Sequence, residues 1–460
     1  MLLIFGILLV LIFGYLLSAI LVEKMNLLER IGISYLLGFG IFTLLMFCYS
    51  TLGLRITLQS TIATLIGGIL LMTAVLIVFK RKISINLSGF VKSVFGLSKL
   101  EKITVLAIAT IIVASLIITT YFPVYIWDAL ALYDFRAKII MQTGFYTQIA
   151  KNHFWFGGYP LFTSLSHTLV YIFGGGNPQF LYSLMYLSYI LVFYGALREI
   201  VNRKITLITT LMLATIPVLF DHSTFAYTNL PYSIFLSMGS IYLYVWFVKK
   251  KPIGYLIISA LMTGLSTWTR STEPFWMVNI LLLVAITIYG FKKYFLSLAG
   301  YIFSFLLIKE PWGFVNYYLT NPGVKKAPLV VSEAASYTSA LFHTALDPVR
   351  IMEVVIFIYK NVITSWYPLI FLFLFCFVIN IKPLFKRASS LFLIIIFLYF
   401  GLLLYATYVY SFGITYWYTI PDSARRMAMF FIPLMVFYIG LTFQSVILKS
   451  KSLLFRKNKK

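Results

Sequence analysis

Long apolar runs, separated by short polar stretches, dominate the pattern of this 460-residue chain. Runs of about 20 apolar residues are long enough to cross the hydrocarbon core of a bilayer as α-helices. The pattern therefore predicts an all-α, polytopic transmembrane protein with about 13 spans. The predicted spans lie near residues 2–22, 32–53, 58–79, 103–121, 179–197, 205–220, 230–248, 253–270, 274–290, 294–310, 362–380, 389–410 and 427–447.

The composition supports a membrane protein that contacts lipid. Hydrophobic residues make up 61% of the chain and charged residues 11%, while Lys and Arg outnumber Asp and Glu by 37 to 13. Basic loops that anchor the cytoplasmic side explain the net charge of +24 better than a nucleic-acid partner does. Cys48 and Cys376 both fall inside apolar runs, so the sequence offers no disulfide framework.

Basic clusters predict which ends of the spans face the cytoplasm, because cytoplasmic loops are enriched in Lys and Arg. This rule places the N-terminus and two long loops, 122–158 and 311–350, on the outer side, and the C-terminus inside. It also requires that residues 159–174 do not cross, and their polar content favours an interfacial, re-entrant or protein-buried helix. The clusters lie at residues 80–102, 198–204, 249–251, 292–293, 382–387 and 449–460.

Acidic residues are concentrated in the predicted outer half. A carboxylate is costly near hydrocarbon and is retained where it has a partner or a task. We therefore expect the functional residues on the outer side, where the two long loops also lie. The outer acids are Asp128, Asp134, Asp221, Glu273, Glu310, Glu333, Asp347, Glu353 and Asp422.

Asp128 follows Trp127 just beyond a predicted span and is the main candidate for a catalytic carboxylate. Partial desolvation at an aromatic-walled interface would favour a general base, and the aromatic walls suit a sugar ring. The alternative is a helix cap or an ion pair with Arg136 or Lys138. Asp134 is a second candidate in the same loop, although its spacing from Arg136 and Lys138 is also typical of local pairing.

Arginines at the outer ends of spans oppose the positive-inside trend and supply donors suited to phosphate. Arg270 and Glu273 are spaced for an ion pair on a helix, or for an arginine that binds an anion and a glutamate that orients it. Arg425 and Arg426 precede the last span, where they either extend to lipid headgroups or bind phosphate.

Metal-binding patterns are weak. No pair of the four histidines has ligand spacing, so the sequence predicts no metal residues and no certain cofactor. A divalent ion with oxygen ligands, shared by Asp128 and Asp221, stays open.

Five segments in order resemble the GT-C superfamily of integral membrane glycosyltransferases, in particular the family related to protein O-mannosyltransferases and lipid A aminoarabinose transferases. The last of them matches a late arginine–proline helix. The matching residues are Trp127-Asp128 with Tyr133 and Ala137-Lys138, Gly158-Tyr159-Pro160-Leu161, Ala226-Tyr227-Thr228-Asn229-Leu230-Pro231, the stretch from Trp268 to Glu273, and Ser423-Ala424-Arg425-Arg426 with Pro433.

The resemblance implies transfer of a sugar from a polyprenyl-phosphate donor on the outer face of the cell membrane, to a lipid, glycan or protein acceptor. It assigns catalysis to Asp128 and donor-phosphate binding to Arg270 and to Arg425 or Arg426. Asp134, which lies in the same loop, is a further catalytic candidate. Asn229 stands where relatives often have an acid before Leu-Pro, and Asp221 is the alternative acid. The expected substrate-binding residues are Trp127, Tyr133, Lys138, Asp221, Asn229 and Glu273.

The resemblance divides the chain into three regions. Residues 1–102 form N-terminal transmembrane helices with no assigned role, residues 103–448 form the GT-C-like catalytic region, and residues 449–460 form a basic cytoplasmic tail. Two other functions stay open at this point. A transporter or flippase of lipid-linked saccharides would place ionisable residues in mid-span, and a polymerase or ligase of lipid-linked glycans would use chemistry close to that of the transferase.

Overall fold

The computed structural model describes residues 1–81, 87–152, 159–270, 274–320, 346–380, 389–413 and 416–457, and all regular structure in these ranges is helical. Two π-helices (Ala129–Asp134 and Tyr359–Ile363) and two 3₁₀ turns (Thr364–Trp366 and Trp417–Thr419) accompany the α-helices. The α-helices are α1 Leu2–Leu21, α2 Leu27–Thr51, α3 Leu58–Val78, α4 Leu87–Phe95, α5 Lys99–Tyr121, α6 Phe135–Thr143, α7 Thr147–Asn152, α8 Phe162–Ile172, α9 Phe180–Arg198, α10 Arg203–Ala214, α11 Pro217–Ser223, α12 Asn229–Lys249, α13 Ile253–Thr269, α14 Trp276–Tyr289, α15 Phe291–Thr320, α16 Pro348–Ile358, α17 Tyr367–Ile379, α18 Ser389–Gly413, α19 Pro421–Ala428 and α20 Ile432–Lys457.

The described chain is a multi-pass membrane protein by the length and hydropathy of its helices. Eight helices can each cross a bilayer, and the number rises to ten if two bent pairs each make one span. The pairs bend by 67° between α10 and α11 and by 92° between Pro348–Trp366 and Pro368–Ile379. The other predicted spans correspond to shorter apolar helices, so the predicted number of 13 is not confirmed. The shorter helices are Ile253–Thr269, Trp276–Ile288 and Ile432–Ile447.

Helix α8 occupies the stretch that was expected not to cross. Its 11 residues extend for only about 16 Å, too short for a hydrocarbon core of about 30 Å. Its polar side chains, including Ser164, His167 and Thr168, are buried. Of the alternatives left open by the sequence, a position enclosed by protein fits this burial best.

Helix α12 lies at the centre of the bundle and is buried along almost its whole length. It packs against α13 most extensively, and against α9, α11, α14, α18 and α20. A Cβ atom at Gly239 would lie 2.5 Å from the hydroxyl oxygen of Thr263. Small residues at such crossings let membrane helices approach closely. Close packing matters in lipid because the hydrophobic effect gives helices little drive to associate there.

The N-terminal helices belong to the same core. Helix α2 packs against α1, α8, α9 and α13. In its most apolar stretch of 18 residues, 78% are buried inside the protein. A Cβ atom at Gly14 would lie 1.9 Å from the carbonyl oxygen of Ser34, and one at Gly32 would lie 2.6 Å from that of Ser188. The region 1–102 is therefore packed into the bundle whose other helices carry the candidate site.

The loop after α5 is held against the N-terminal helices by hydrogen bonds. The π-helix Ala129–Asp134 continues directly into α6, which ends at Gly144 in the left-handed conformation (φ +78°) that glycine adopts without strain. The carbonyl oxygen of Gly144 accepts a 2.8 Å hydrogen bond from the backbone N–H of Ile56, between α2 and α3. This hydrogen bond attaches the end of α6, the helix that continues from the π-helix, to the connection between α2 and α3.

Candidate functional site

Asp128 lies immediately before the π-helix with an exposed side chain. Its carboxylate accepts a hydrogen bond from the hydroxyl of Tyr227, which comes just before α12. Burial, and then the hydrogen bond to Asp128, raise the pKa of Tyr227 to about 12, so the phenol is protonated at neutral pH and donates. Asp128 makes no side-chain cap to the π-helix. The cap alternative therefore does not describe this residue.

Arg426 on α19 joins Asp128 through the same tyrosine. Its guanidinium carbon lies 5.3 Å from the centroid of the Tyr227 ring, and its Nη2 donates to the hydroxyl of Ser423 at 3.3 Å. A guanidinium at this distance from an aromatic face is attracted by the ring's negative face. The neighbouring Arg425 is exposed, so the structure separates two adjacent arginines that the sequence could not rank.

Arg270 directly follows α13 and its guanidinium group lies over a second aromatic ring. Its Nη1 donates to the side-chain oxygen of Asn229, and its guanidinium carbon lies 5.4 Å from the centroid of the Tyr159 ring. Asn229 is buried, and its side-chain nitrogen has no hydrogen-bond partner among the described residues. A buried amide donor is normally satisfied, so this nitrogen provides donor capacity beside Arg270.

Tyr133 connects the two arginine-bearing parts. Its ring centroid lies 5.8 Å from that of Tyr159 and 6.1 Å from that of Tyr227, and its hydroxyl lies 3.2 Å from that of Thr228. Residues from five separate segments thus form one group, which we call the outer cluster. The outer cluster consists of Asp128, Tyr133, Tyr159, Tyr227, Asn229, Arg270 and Arg426.

Asp134 belongs to a different, buried network. Its carboxylate lies 2.8 Å from Nζ of Lys138 and 3.2 Å from Nδ1 of His167, and it accepts a hydrogen bond from the hydroxyl of Tyr171. Burial acts to raise its pKa, but the hydrogen bonds and charge of His167, with Lys138 and Tyr171, outweigh burial and lower the pKa to about 2. The predicted local pairing with Lys138 is present, and Asp134 connects the loop to α8.

Arg136 is a buried residue that contacts the outer cluster through the backbone of Tyr159. Its side chain is fully buried, and its Nη1 donates a 3.1 Å hydrogen bond to the backbone carbonyl of Tyr159. Burial lowers its pKa to about 10, which leaves it protonated at neutral pH. Because the carbonyl belongs to Tyr159, this bond helps to hold the ring that Arg270 contacts.

The remaining predicted residues lie apart from these contacts or outside the described chain. Trp127 is 79% exposed, Lys138 is half-exposed and pairs with Asp134, and Asp221 has an exposed side chain. Glu273 lies outside the described residues, so its expected pairing with Arg270 stays a prediction.

Sequence reasoning gave no role to Tyr159, Tyr227, His167 or Tyr171. A signal existed for two of them, because Tyr159 and Tyr227 lie inside segments that resemble the glycosyltransferase family. No comparable signal marked His167 and Tyr171, whose contacts with Asp134 depend on how α8 packs.

Within the described ranges, no group of three or more His, Cys, Asp and Glu side chains is placed to hold a metal ion. The outer cluster itself has one carboxylate and two guanidinium groups, a donor set that favours an anion over a cation. It can accept a proton at Asp128 and bind a negatively charged group near Arg270 and Arg426.

Comparison of the chain with protein-family models, with curated proteins and with solved structures gave no match.

Proposed function

We propose that this protein is a GT-C-like membrane glycosyltransferase that moves a sugar from a polyprenyl-phosphate donor to an acceptor hydroxyl on the outer face of the cell membrane. One observation carries the proposal: an exposed carboxylate, Asp128, shares an aromatic-walled cluster with two arginines from distant parts of the chain. The order of motifs that resemble this superfamily adds to it.

The chemistry requires a base and a place for a phosphate. The acceptor oxygen forms a bond to the anomeric carbon, the bond from that carbon to the phosphate oxygen breaks, and the acceptor proton passes to Asp128. The lipid phosphate leaves with the electron pair, and the configuration at the anomeric carbon is inverted. A second carboxylic acid of the kind that glycosidases use is unnecessary, because a phosphate is already a good leaving group.

Arg270 and Arg426 suit the developing charge on the phosphate. Guanidinium groups supply several donors in a fixed geometry and stay protonated. Both lie over tyrosine rings of the outer cluster. The ring beneath Arg426 is that of Tyr227, whose hydroxyl donates to Asp128. The exposed Trp127 adds an aromatic surface next to the carboxylate, suited to a sugar ring or a lipid headgroup.

Replacing Asp128 by Asn tests the proposal. The variant removes the proton acceptor and keeps the shape, so we expect a loss of transfer of about 100-fold or more. Mass spectrometry of surface glycans and lipid-linked sugars would measure it, in a strain that lacks the gene and is complemented with each variant. Glu353→Gln is the matched control, since Glu353 is an exposed carboxylate outside the outer cluster that pairs only with Arg350 among its described neighbours.

Wild-type transfer by a folded Asp128→Asn protein would remove Asp128 from the mechanism. Unchanged glycans and lipid-linked sugars in the deletion strain would contradict the transferase as a whole. Loss of whole oligosaccharide transfer, with single-sugar additions intact, would instead identify a polymerase or ligase of lipid-linked glycans.

The two adjacent arginines provide a second test. Arg426→Gln removes a charge that contacts Tyr227, whereas Arg425→Gln removes an exposed one. We expect the first to reduce transfer by about 100-fold, in the range for a lost electrostatic contact in an active site, and the second by less than about tenfold. Equal losses in the same complementation assay would contradict the assignment of the phosphate site to Arg426.

A further inference from the structure

A cavity of about 930 Å³ lies between α2, α5, α9 and α10, at the end of the bundle remote from the outer cluster. Helix α9 shows the separation: Tyr182 contacts His167 of the buried Asp134 network, whereas Tyr194 lines the cavity. Twelve residues of α-helix span about 18 Å, although the apolar part of the cavity extends along α9 as far as Leu187. The polar end of the cavity, at Tyr194, is therefore a second site at the end of the bundle that carries the basic clusters.

The walls of this cavity are apolar and reach the lipid-facing surface. Ile112 on α5 and Leu187 and Ile190 on α9 line its interior. Val105 and Val113, which also line it, are 40% and 52% exposed on α5, a helix apolar enough to span a membrane. Exposed valines on a spanning helix face hydrocarbon, so an acyl chain can enter the cavity from the bilayer.

The polar end of the cavity adjoins a second cavity of about 820 Å³. The two share Asn26, Tyr194 and Arg203 as lining residues. Two carboxylates line this end: Glu101 pairs with Arg203 at 2.7 Å, and Glu199 pairs with Lys251 at 2.6 Å. Basic side chains outnumber the two carboxylates. They are Lys24, Arg30, Arg198, Arg203, Lys204 and Lys251.

Arg30 shows the charge imbalance most clearly. Its side chain is 3% exposed. The Nη2 group donates to the backbone carbonyls of Val22 at 2.7 Å and Glu23 at 2.9 Å, and Nη1 lies 3.5 Å from the hydroxyl of Ser18. All three acceptors are neutral oxygens. The adjacent carboxylate of Glu29 is buried, accepts a hydrogen bond from Tyr242 and does not line the cavity. The wall that Arg30 contributes is therefore positively charged and suited to an anion.

We propose that these two cavities together hold one anionic phospholipid of the surrounding membrane, with acyl chains along α5 and α9 and the phosphate among Arg30, Arg198 and Lys204. The apolar walls and the opening at Val105 and Val113 select a lipid over a soluble anion. The surplus of positive charge selects an anionic headgroup over a zwitterionic one. This site is independent of the proposed sugar transfer.

Native mass spectrometry of the purified full-length protein tests the site, with phosphatidylglycerol and phosphatidylcholine of identical acyl chains as probes. We expect the wild-type protein to retain phosphatidylglycerol in preference. Lys204→Glu reverses an exposed charge in the first turn of α10, where an acid favours the helix. We expect it to weaken phosphatidylglycerol retention at least fivefold while the protein stays folded.

Lys99→Glu is the matched control, because Lys99 is exposed in the first turn of α5 and does not line either cavity. The substitution makes the same charge change at a helix N-terminus, at the same end of the bundle. We expect it to leave the retention of phosphatidylglycerol unchanged. Ala109→Trp places a large side chain on the α5 wall without changing charge, and we expect loss of both lipids from the cavity.

Three results would overturn the proposal. If Lys204→Glu and Lys99→Glu lost phosphatidylglycerol retention equally, the lipid would be held by general attraction to a basic surface and not by this site. Full retention by Ala109→Trp would mean that the apolar cavity is not the lipid site. Preferential retention of a polyprenyl phosphate, when it and phosphatidylglycerol are offered at equal concentration, would assign the cavities to a different occupant.

Discussion

Two carboxylates six residues apart have opposite environments in this protein. Asp128 is exposed at the start of the π-helix and accepts a hydrogen bond from Tyr227. Asp134, at the end of the same π-helix, is 2% exposed and is held by Lys138, His167 and Tyr171. A carboxylate with three partners and a pKa of about 2 is a poor proton acceptor at neutral pH.

The comparison shows that charge in an outer loop is not by itself a sign of catalysis. Asp134 uses its hydrogen-bonding capacity within the protein and ties the π-helix to α8, so it is suited to positioning the loop. Asp128 keeps an oxygen accessible and is coupled to Arg426 through Tyr227. Asp128 is therefore the better placed of the two to accept a proton in the proposed reaction, and the catalytic roles predicted for both residues stay untested.

The largest expected difference between the two carboxylates is in stability. Asp134→Ala leaves His167, Tyr171 and Lys138 without their shared acceptor, and we expect the free energy of unfolding to fall by about 3 kcal/mol. The exposed Asp128→Ala serves as the comparison and should lower it by about 1 kcal/mol, because only the hydrogen bond from Tyr227 is lost. Equilibrium unfolding of the purified proteins in detergent measures both values. Similar decreases in the free energy of unfolding for the two variants would contradict the proposed difference between the two carboxylates.

Acid provides a second, smaller test of the same contrast. The pKa of Asp134 is about 2 in the folded protein against an ordinary value of 3.8. Because the folded value is the lower one, the ionised carboxylate stabilises the protein above about pH 4, and this contribution of about 2 kcal/mol is lost as pH falls from about 4 to 2. Unfolding measured across this range should depend less steeply on pH in Asp134→Asn than in the wild type. An equally steep dependence of the unfolding free energy on pH in both proteins would contradict the assignment of the low pKa to Asp134.

Local spacing predicted some of these contacts and could not predict others. The pairing of Asp134 with Lys138 follows from their i, i+4 positions and is present. The apolar runs predicted the spanning helices and gave the bounds of α13 to within one residue, although hydropathy could not show that α10 and α11 would bend where Pro217 begins α11. Arg425 and Arg426 are adjacent, so only the contact of Arg426 with Tyr227 and the exposure of Arg425 distinguish them. The hydrogen bond from Tyr227 joins residues 99 apart, a contact that only the folded chain defines.

The smallest expected effects come from replacing the two tyrosines whose hydroxyls donate to these carboxylates. Tyr227→Phe removes the hydrogen bond to Asp128 but keeps the ring beneath Arg426, so we expect transfer to fall about tenfold, the equivalent of one hydrogen bond to a charged group. Tyr171→Phe removes the corresponding bond to Asp134, and we expect it to lower the free energy of unfolding by about 1 kcal/mol with transfer retained. The complementation assay and unfolding in detergent, applied to both variants, distinguish the effects. If Tyr171→Phe reduced transfer as strongly as Tyr227→Phe while the protein stayed folded, Asp134 would belong to the reacting groups after all, and the two carboxylates would have to be treated as one site.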